Sequence, residues 1–500
     1  MKTAAFCTLG CKVNQYETNA MMQKMVEAGF EIVDFEEKAD VYIINTCTVT
    51  NMADKKSRQM LRRVKEMNPN SILVAVGCYA QVAKEKLEQI PEIDLILGIN
   101  EKNDIVSYIQ ATTKSKEPPK LKISTKDSIS NGYSKMQQEG QQSDEKVKQN
   151  NCISQVSDVS NQKEFLDFGN VTYTEKTRAV IKVQDGCNQF CSYCIIPYAR
   201  GRIRSRKPEN VIEEITAISQ NGVKEVVITG IHIASYGKDF DQNSKAIIEE
   251  TKNIQSESAT GKTSSSISQK KIENKINYRL IDLLEEIQKI DGIERIRLGS
   301  LEPTLITEEF VQRLSKLSKI CDQFHLSLQS GCDETLKRMN RKYTTKEFEN
   351  GVRLLRGTFP QVHLTTDVIV GFPGETEEEF GQTYEFLKKI KFYKMHIFKY
   401  SPRTGTVAAN MKNQVDGNIK EKRSNALLEL SDYFEKEYNR QYIGKKVHVL
   451  FEEKEGEYWK GHTTNYMVVK AISKDDLENQ IKQIEINDID GVELIGKIKN

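Results

Sequence analysis

Short apolar runs alternate with amphipathic stretches along the first hundred residues of this 500-residue chain. Strands are predicted at residues 3–8, 39–45, 71–76 and 95–97, and helices at 16–28 and 53–67. Apolar strands that are separated by helices are typical of a parallel sheet covered on both faces. The pattern therefore predicts a parallel α/β domain over residues 1–111.

The same alternation resumes after residue 171 and predicts a second, larger domain that reaches residue 440. Its predicted strands cover residues 179–184, 225–229, 295–298, 325–328, 363–370 and 395–398. Helical stretches are predicted at 208–221, 307–316, 345–356 and 377–390. Six βα units joined by right-handed crossovers would wind into a barrel or a partial barrel. The functional side chains of such a barrel lie at the carboxyl ends of its strands.

Two polar segments interrupt these patterns. Residues 112–170 and 238–277 are rich in Lys, Ser, Gln and Asn, which predicts a disordered linker and a polar loop insertion. Past a helix at 421–441, short β-like runs predict a small β-barrel over residues 441–500. The predicted fold class is therefore α/β, with an N-terminal parallel α/β domain, a central partial (β/α)6 barrel and a small C-terminal β-barrel.

Composition narrows the class of protein further. The formal net charge is +2, so the whole protein creates no strong field that would attract a polyanion. No run of about 18 apolar residues occurs, so we predict no membrane span. The first residues lack the long apolar stretch of a signal peptide, so we expect a cytoplasmic protein. In that reducing compartment the ten cysteines are expected to be thiols or metal ligands rather than disulfides.

Three cysteines form the most informative motif of the chain. Cys187, Cys191 and Cys194 have the spacing C-x3-C-x2-C in a loop after a predicted strand. Such a loop can place three thiolates on three irons of one 4Fe-4S cube and leave the fourth iron open for a substrate or cofactor. The alternatives are a disulfide pair or a zinc knuckle, but zinc would require a fourth Cys or His nearby, and residues 180–206 contain none.

A second set of cysteines lies in the first domain. Cys11, Cys47 and Cys78 each follow a predicted strand, and 36 and 31 residues separate them. The turns after parallel strands meet at one edge of the sheet, so the three thiols could converge there. Lone cysteines in α/β cores are more often small buried apolar residues, and the spacing alone leaves this alternative open.

The motifs together resemble a known family. The C-x3-C-x2-C loop, with Tyr193 before its last cysteine, resembles the radical S-adenosylmethionine (AdoMet) superfamily. That resemblance implies a cluster whose open iron binds AdoMet and whose electron cleaves it to a 5′-deoxyadenosyl radical. The motifs LGCKVN, NTCTVT and VGCYAQ ahead of it resemble the methylthiotransferase family. That family implies a second 4Fe-4S cluster on Cys11, Cys47 and Cys78, whereas Cys7 lies on the strand and is left out.

Further segments match the family and imply its AdoMet contacts. IIPYARGRIRSR at 195–206 follows the cluster loop, and VGFPGET at 370–376 resembles a loop that walls the AdoMet site. Guanidinium groups suit carboxylate and phosphate contacts, although a solvated charge run is the alternative. The residues expected to contact AdoMet are Tyr193, Arg200, Thr229, Gly230, Ser327, Gln329, Asp367 and Gly371.

The C-terminal tail resembles a TRAM module, an RNA-binding β-barrel, through VHVLFEE and GHTTNYMVV. Tyr458, Trp459, His462 and Tyr466 could stack on bases, or pack in a core instead. The basic stretches 55–65 and 337–346 are further candidates for contacts with an RNA backbone.

The segments TLGCKVNQYET and TGIHIASYG resemble the bacterial subgroup that modifies threonylcarbamoyladenosine. This implies addition of a methylthio group at C2 of that adenine, next to the tRNA anticodon, with AdoMet as radical source and methyl donor. The implied partners are tRNA, an electron donor such as flavodoxin or ferredoxin, and a sulfur source. The alternative substrates are isopentenyladenosine in tRNA and a ribosomal protein. A non-enzymatic alternative is an iron–sulfur redox sensor that binds RNA.

Overall fold

The computed structural model describes residues 2–114, 152–173, 177–240 and 277–499, and the side chains of 113 and 114 are not described. These residues form an N-terminal parallel sheet, a central barrel-like domain and a closed C-terminal β-barrel. The predicted fold class is confirmed. No helix among the described residues is both long and apolar enough to cross a bilayer.

The N-terminal sheet is parallel throughout, with the strand order β2-β1-β3-β4-β5-β6. Its first strands are β1 (Lys2–Thr8), β2 (Phe30–Val33), β3 (Val41–Thr46), β4 (Ile72–Gly77) and β5 (Leu95–Leu97). The helices are α1 (Lys12–Glu27), α2 (Asn51–Met67), α3 (Cys78–Val82), α4 (Lys84–Glu88) and α5 (Ile105–Lys114), with a 3-10 turn at Asn100–Asp104. The apolar strands β3 and β4 are buried at the centre of the sheet, as their sequences predict. Strand β2 was not predicted.

The prediction of a disordered linker over residues 112–170 is wrong for its last part. Residues 152–173, which we call the return segment, add strand β6 (Ile153–Gln155) to the edge of the sheet beside β5. Val159 of this segment is buried, and Phe168 and Val171 pack against Tyr16 of α1. A few apolar side chains in a polar segment suffice here because the existing sheet edge and α1 bury them. Residues 115–151 of the predicted linker lie outside the described residues.

The central domain carries six parallel strands that form two sheets. Its strands are β7 (Arg178–Asp185), β8 (Arg204–Ser205), β9 (Glu225–Gly230), β10 (Arg295–Leu298), β11 (Gln323–Gln329), β12 (His363–Val370) and β13 (Lys394–Lys399). The sheets have the orders β10-β9-β7-β8 and β11-β12-β13, with β8 antiparallel, and isolated bridges from Ile296 to Ile320 and from Leu301 to Leu326 join them. The result is the predicted partial barrel.

Helices cover the outside of this barrel. They are α6 (Ile196–Arg200), α7 (Pro208–Gln220), α8 (Leu280–Ile287), α9 (Glu308–Leu314), α10 (Asp333–Arg338), α11 (Thr345–Thr358), α12 (Glu377–Ile390) and α13 (Gly417–Arg440). Short 3-10 turns lie at Ile233–Ser235, Pro303–Leu305 and Val407–Asn410. Capping boxes begin α11 at Thr344 and α12 at Thr376. In each, the threonine hydroxyl accepts the backbone N–H of a glutamate three residues later, and that glutamate's carboxylate accepts the threonine's backbone N–H. Of the predicted insertion 238–277, Phe240 packs on the core, and 241–276 lie outside the described residues.

The C-terminal barrel closes in the order β14-β15-β16-β18-β17. Its strands are β14 (Lys446–Glu455), β15 (Tyr458–His462), β16 (Val468–Ile472), β17 (Ile481–Asp490) and β18 (Glu493–Ile498). It docks on the amino ends of the central strands, where the Arg295 guanidinium donates to the carbonyls of His448 and His462. Arg297 likewise donates to the carbonyls of Thr463 and Thr464.

The structure shows packing contacts for two of the four tail aromatics that were predicted to stack on bases or to pack, Tyr466 and Trp459. The Tyr466 ring stacks on His462 and lies against the guanidiniums of Arg178 and Arg297, so it belongs to the domain contact. Trp459 is 8% exposed and packs inside the small barrel. The Trp459 ring is therefore buried and is not a platform for bases, whereas Tyr466 keeps an exposed part beside its contacts with His462 and the two guanidiniums.

Candidate iron–sulfur sites

Three neighbouring strands of the N-terminal sheet bring Cys11, Cys47 and Cys78 to one edge. Cys11 follows β1 after a short turn, Cys47 directly follows β3, and Cys78 directly follows β4. In the parallel ladder Thr8 pairs with Asn45 and Thr46 pairs with Gly77, so the three strands end at the same level. We call these three cysteines the sheet site. The three cysteines thus lie at one edge of the sheet, as expected.

Two glycines make this close approach possible. Gly10 has a φ of 99°, and a Cβ added there would lie 2.7 Å from the Sγ of Cys47. Gly77 also has a φ of 99°, and its added Cβ would lie 2.6 Å from the carbonyl oxygen of Thr46. A side chain at either position would collide with the neighbouring turn, so glycine is required next to Cys11 and next to Cys78.

The thiols of the sheet site influence one another electrostatically. Burial raises the pKa of Cys47 to about 11, a backbone N–H of Val49 opposes this, and the Cys78 and Cys11 thiols raise it again. Burial also raises the pKa of Cys78, against the lowering effect of Arg200 and Lys102. Thiols that hinder one another's ionisation in this way become thiolates together when a metal centre compensates their charge.

The second set of cysteines, Cys187, Cys191 and Cys194, lies in the loop after β7, and we call it the loop site. Contacts from across the barrel mouth fix this loop. The Ser192 N–H donates to the Met339 carbonyl at 3.0 Å, and the Ser192 hydroxyl donates to the Arg338 carbonyl at 2.8 Å. The Ala408 N–H donates to the Ser192 carbonyl at 2.7 Å. The loop backbone is therefore held in place from both sides.

One arginine serves the loop site directly. The Nη1 of Arg341 lies 3.2 Å from the Sγ of Cys191, and its Nη2 pairs with Glu302 at 2.8 Å. Burial and the neighbouring Cys191 thiol raise the pKa of Cys187 to about 11 and that of Cys194 to about 12. Arg341 offers the opposite influence, a positive charge beside a sulfur. The sequence predicts an RNA contact for the basic stretch 337–346, which contains Arg341. Its partner Glu302 is far away in the sequence, so local spacing does not reveal the ion pair.

Most residues expected around AdoMet lie at the same barrel edge as the loop site. Thr229 and Gly230 end β9, Ser327 and Gln329 end β11, Gly371 follows β12, and the Tyr193 ring packs against Phe372. Asp367 lies within β12 instead, where its carboxylate is 3.2 Å from the Nε2 of His325. These positions fit the prediction that this edge of the barrel binds AdoMet. The contact of each residue with AdoMet stays a prediction.

The structure corrects the prediction for Arg200. Its side chain is fully buried where α6 meets the N-terminal domain, and it is bound by Glu17, Asp185 and Asn14. Its Nε lies 3.3 Å from the Sγ of Cys78. Arg200 therefore serves the sheet site rather than a solvent-facing anion. The partners come from α1 and β7, which local sequence could not connect.

Arg206 and Arg338 are also used internally. Arg206 pairs with Glu214 and Asp167, and Arg338 pairs with Glu379. Residues Lys55, Lys56 and Arg62 on α2 remain exposed and keep the prediction of an RNA backbone contact open.

Each donor set consists of three cysteines, which is the number of protein ligands that a 4Fe-4S cluster with one open iron requires. Among the described residues, no three His, Cys, Asp or Glu side chains converge as the ligands of one ion would. A cube makes a different demand, because each thiolate binds a different iron. Each site offers three cysteines, all ten cysteines of the chain are free thiols, and Gly10 and Gly77 leave room beside the sheet site.

Comparisons with known proteins agree with these sites. Residues 181–387 match the Radical SAM superfamily, and residues 3–98 match a family described as Uncharacterized protein family UPF0004. A protein of Bacillus subtilis (strain 168), named threonylcarbamoyladenosine tRNA methylthiotransferase MtaB, is 38% identical over 97% of this chain and 94% of its own length. The chain belongs to the radical AdoMet methylthiotransferase family. Its cofactors are accordingly AdoMet and 4Fe-4S clusters.

Two further members of the family bear on the subgroup. A protein of Aquifex aeolicus (strain VF5) with the same name as the Bacillus protein is 36% identical over 93% of this chain and 96% of its own length. A Clostridium botulinum (strain Loch Maree / Type A3) protein named tRNA-2-methylthio-N(6)-dimethylallyladenosine synthase is 30% identical over 98% of this chain and 95% of its own length. The predicted subgroup thus has the higher identity of the two.

Proposed function

We propose that this methylthiotransferase acts on tRNA and adds a methylthio group at C2 of the adenine in N6-threonylcarbamoyladenosine, next to the anticodon. Two relatives that carry this activity in their names, at 38% and 36% identity, support the substrate. The main support for the proposed reaction is that two sites of three cysteines each lie on neighbouring domains.

A single short helix connects the two sites. Helix α6 begins two residues after Cys194 of the loop site, and its last residue, Arg200, contacts Cys78 of the sheet site. Five residues of α-helix rise about 7.5 Å, and the Arg200 side chain covers the remaining gap to Cys78. Ala199 of α6 packs in one cluster with Cys78, Ile99 and Val159, which fixes the domains against each other.

The sites have separate roles in this proposal. Cys187, Cys191 and Cys194 would hold the cluster that supplies one electron for the reductive cleavage of AdoMet, which is the radical chemistry needed at the C2–H bond. The surrounding strand ends, with Thr229, Ser327 and Gly371 among them, bind and orient AdoMet at that edge. Cys11, Cys47 and Cys78 hold the second cluster, which carries the sulfur. Such a C–H bond offers no practical acid–base route, which accounts for radical chemistry.

Lys12 supports the choice of substrate. It begins α1 directly after Cys11. Burial, with smaller effects of Arg297 and Arg178 of the central domain, lowers the pKa of Lys12 to about 8, although Glu225 opposes this. Arg297 and Arg178 are paired with Glu225, and a bound carboxylate would stabilise the protonated form of Lys12. The threonyl group of N6-threonylcarbamoyladenosine carries a carboxylate, whereas an isopentenyl group is apolar. A cation at this position therefore favours the threonylcarbamoyl substrate.

The remaining partners follow from the chemistry. Reductive cleavage of AdoMet requires a low-potential electron donor, for which flavodoxin or ferredoxin is suitable, and the sheet site requires a sulfur source. Reduced thiols and exposed clusters suit the cytoplasm, where tRNA is modified. There are three alternative functions. Two are methylthiotransferases, one for isopentenyladenosine and one for a ribosomal protein, and the third is an iron–sulfur sensor that binds RNA without modifying it.

One anaerobic assay distinguishes these functions. The reconstituted protein is incubated with AdoMet, dithionite, sulfide and tRNA that contains threonylcarbamoyladenosine, and the nucleosides are measured by mass spectrometry. We expect 2-methylthio product on that nucleoside. Product only on isopentenyladenosine tRNA would overturn the substrate and keep the reaction. Absence of 5′-deoxyadenosine as well as of product would overturn the enzymatic proposal in favour of a binding function.

A further inference from the structure

A set of five buried charged side chains lies where the N-terminal and central domains meet. These side chains, which we call the interface network, are no more than 1% exposed and are Glu17, Lys102, Lys182, Asp185 and Arg200. Glu17 of α1 binds the Lys102 ammonium at 2.5 Å, the Lys182 ammonium at 2.7 Å and the Arg200 Nη1 at 2.7 Å. Asp185 binds Lys182 at 2.6 Å and Arg200 at 3.2 Å. The network crosses the domain boundary.

Arg200 is held in one orientation within this network. Its Nη1 faces Glu17 and Asp185, and its Nη2 donates to the Asn14 Oδ1 at 2.7 Å and to Glu17 at 3.0 Å. The planar guanidinium leaves Nε as its last donor, and Nε lies 3.3 Å from the Cys78 Sγ. With both ends of the fork fixed, the N–H is directed at this sulfur.

The network carries more positive than negative charge. Three cations, Lys102, Lys182 and Arg200, face two carboxylates, Glu17 and Asp185, so one positive charge is in excess. Arg204 adds another cation 3.7 Å from Asp185. An unpaired charge is costly to bury, and the group beside it that can become an anion is the Cys78 sulfur. A cube bound by three thiolates provides negative charge at that place.

We propose that Arg200 is a positioning residue of the sheet site that makes its cluster easier to reduce. An N–H directed at a ligand sulfur and a nearby positive charge both stabilise the electron-rich form, and such contacts tune the potentials of iron–sulfur clusters. Because Arg200 belongs to the central domain, this influence reaches Cys78 only while the two domains are docked. The inference rests on the proposed function in taking the sheet site to hold a cluster.

Lys182 provides a matched control for this proposal. It occupies the same network and binds the same two carboxylates, but its ammonium has no bond to Cys78 among the described residues. The double variant Arg200→Gln with Glu17→Gln removes one cation and one anion. The double variant Lys182→Gln with Glu17→Gln removes the same charges and retains the Arg200 guanidinium beside the sulfur. A purely structural network would respond alike to both.

The experiment measures the potential of the sheet-site cluster alone. Both double variants are made in the full-length chain with Cys187→Ala, Cys191→Ala and Cys194→Ala, reconstituted with iron and sulfide, and titrated with dithionite under EPR detection. At a fixed potential we expect the Arg200 variant to show a tenfold lower ratio of reduced to oxidised cluster, a shift of about 59 mV for one electron. The Lys182 variant should shift clearly less.

The following outcomes would contradict the proposal. Equal shifts in both double variants, or no shift in the Arg200 variant, would overturn the role of Arg200. If the Arg200 double variant does not fold, Arg200→Lys keeps the charge and loses the directed N–H, and an unchanged potential there overturns the proposal. A folded triple-alanine protein that binds no cluster would overturn the sheet-site assignment itself, and with it the proposed function.

Discussion

The loop site and the sheet site offer the same three thiols and are built by opposite means. The loop site takes its cysteines from eight consecutive positions, 187–194, so local chain geometry sets most of their separation. The sheet site takes Cys11, Cys47 and Cys78 from three strand ends in a parallel ladder. A slip of one residue in that ladder would turn each side chain to the other face. The sheet site is therefore a property of the folded domain, and the loop site mainly of a segment.

The two sites also differ in how arginine reaches sulfur. Arg341 contacts Cys191 and is balanced by one carboxylate, Glu302, within the same domain. Arg200 contacts Cys78 from another domain and belongs to the larger interface network. A local pair depends only on the barrel, whereas the interdomain contact also depends on docking. The comparison indicates that only the sheet site can respond to the relative position of the domains.

The largest effect is expected from removing one thiol at each site. With Cys191→Ala we expect no 5′-deoxyadenosine from AdoMet. With Cys47→Ala we expect AdoMet cleavage to continue and methylthiolation to be lost, because the loop site stands on a separate domain. Each variant should retain about half of the wild-type cluster iron, measured by iron analysis and EPR.

Cys7→Ala is the control for both thiol variants, since Cys7 lies within β1 and not at its end. We expect it to retain both activities. Full methylthiolation by Cys47→Ala, with normal loop-site iron, would show that the sheet site is not needed for the reaction.

The second prediction separates crowding from backbone strain at the sheet site. Gly10→Ala and Gly29→Ala both place a side chain at positive φ, 99° and 87°, which costs roughly 1–2 kcal/mol of folding free energy. Only Gly10 is crowded, with the Cys47 sulfur 2.7 Å from the new Cβ, whereas Gly29 has no atom within 4 Å. We expect Gly10→Ala to lose the sheet-site cluster and Gly29→Ala to keep it. Equal iron content in the two variants would contradict this.

The third prediction concerns substrate recognition by Lys12, which lies next to Cys11 of the sheet site. Lys12→Gln removes the cation proposed to bind the threonyl carboxylate, and a hydrogen bond to a charged group contributes about 1.5–3 kcal/mol. We expect kcat/KM for threonylcarbamoyladenosine tRNA to fall roughly 10-fold to 100-fold. AdoMet cleavage without tRNA should be unchanged.

Lys12→Arg retains the charge and is the control, so we expect it to keep most of the activity. Wild-type kinetics in Lys12→Gln would show that Lys12 does not contact the substrate, and the substrate assignment would then depend on family similarity alone.

The smallest effect is expected from two helix caps. The Thr50 hydroxyl accepts the Ala53 N–H at the start of α2, and the Thr307 hydroxyl accepts the Phe310 N–H at the start of α9. Thr50→Ala and Thr307→Ala should each lower the free energy of unfolding by about 1 kcal/mol in denaturant titrations. Only Thr50 lies close to a cysteine of the sheet site, so iron loss on mild heating should be faster in Thr50→Ala alone. Equal rates would indicate that the sheet site does not depend on the start of α2.

Much of the fold follows from local patterns. Strands β10 and β12 and helix α12 have the bounds that apolar periodicity predicts, because each is a regular run that ends at turn residues. Strands β2 and β6 were missed because each is short and depends on a neighbouring strand edge for its burial.

The sequence by itself determined the thiols, the spacing of the loop site and the order of strands that brings Cys11, Cys47 and Cys78 to one edge. These features rest on chain-local geometry and on the rule that parallel strands end together. Only the tertiary structure decided that Arg200 and Arg341 reach sulfur, that Tyr466 packs between domains, and that the return segment completes the N-terminal sheet. Such contacts join residues far apart in sequence, and their energy comes from burial and ion pairing that exist only after the domains have docked.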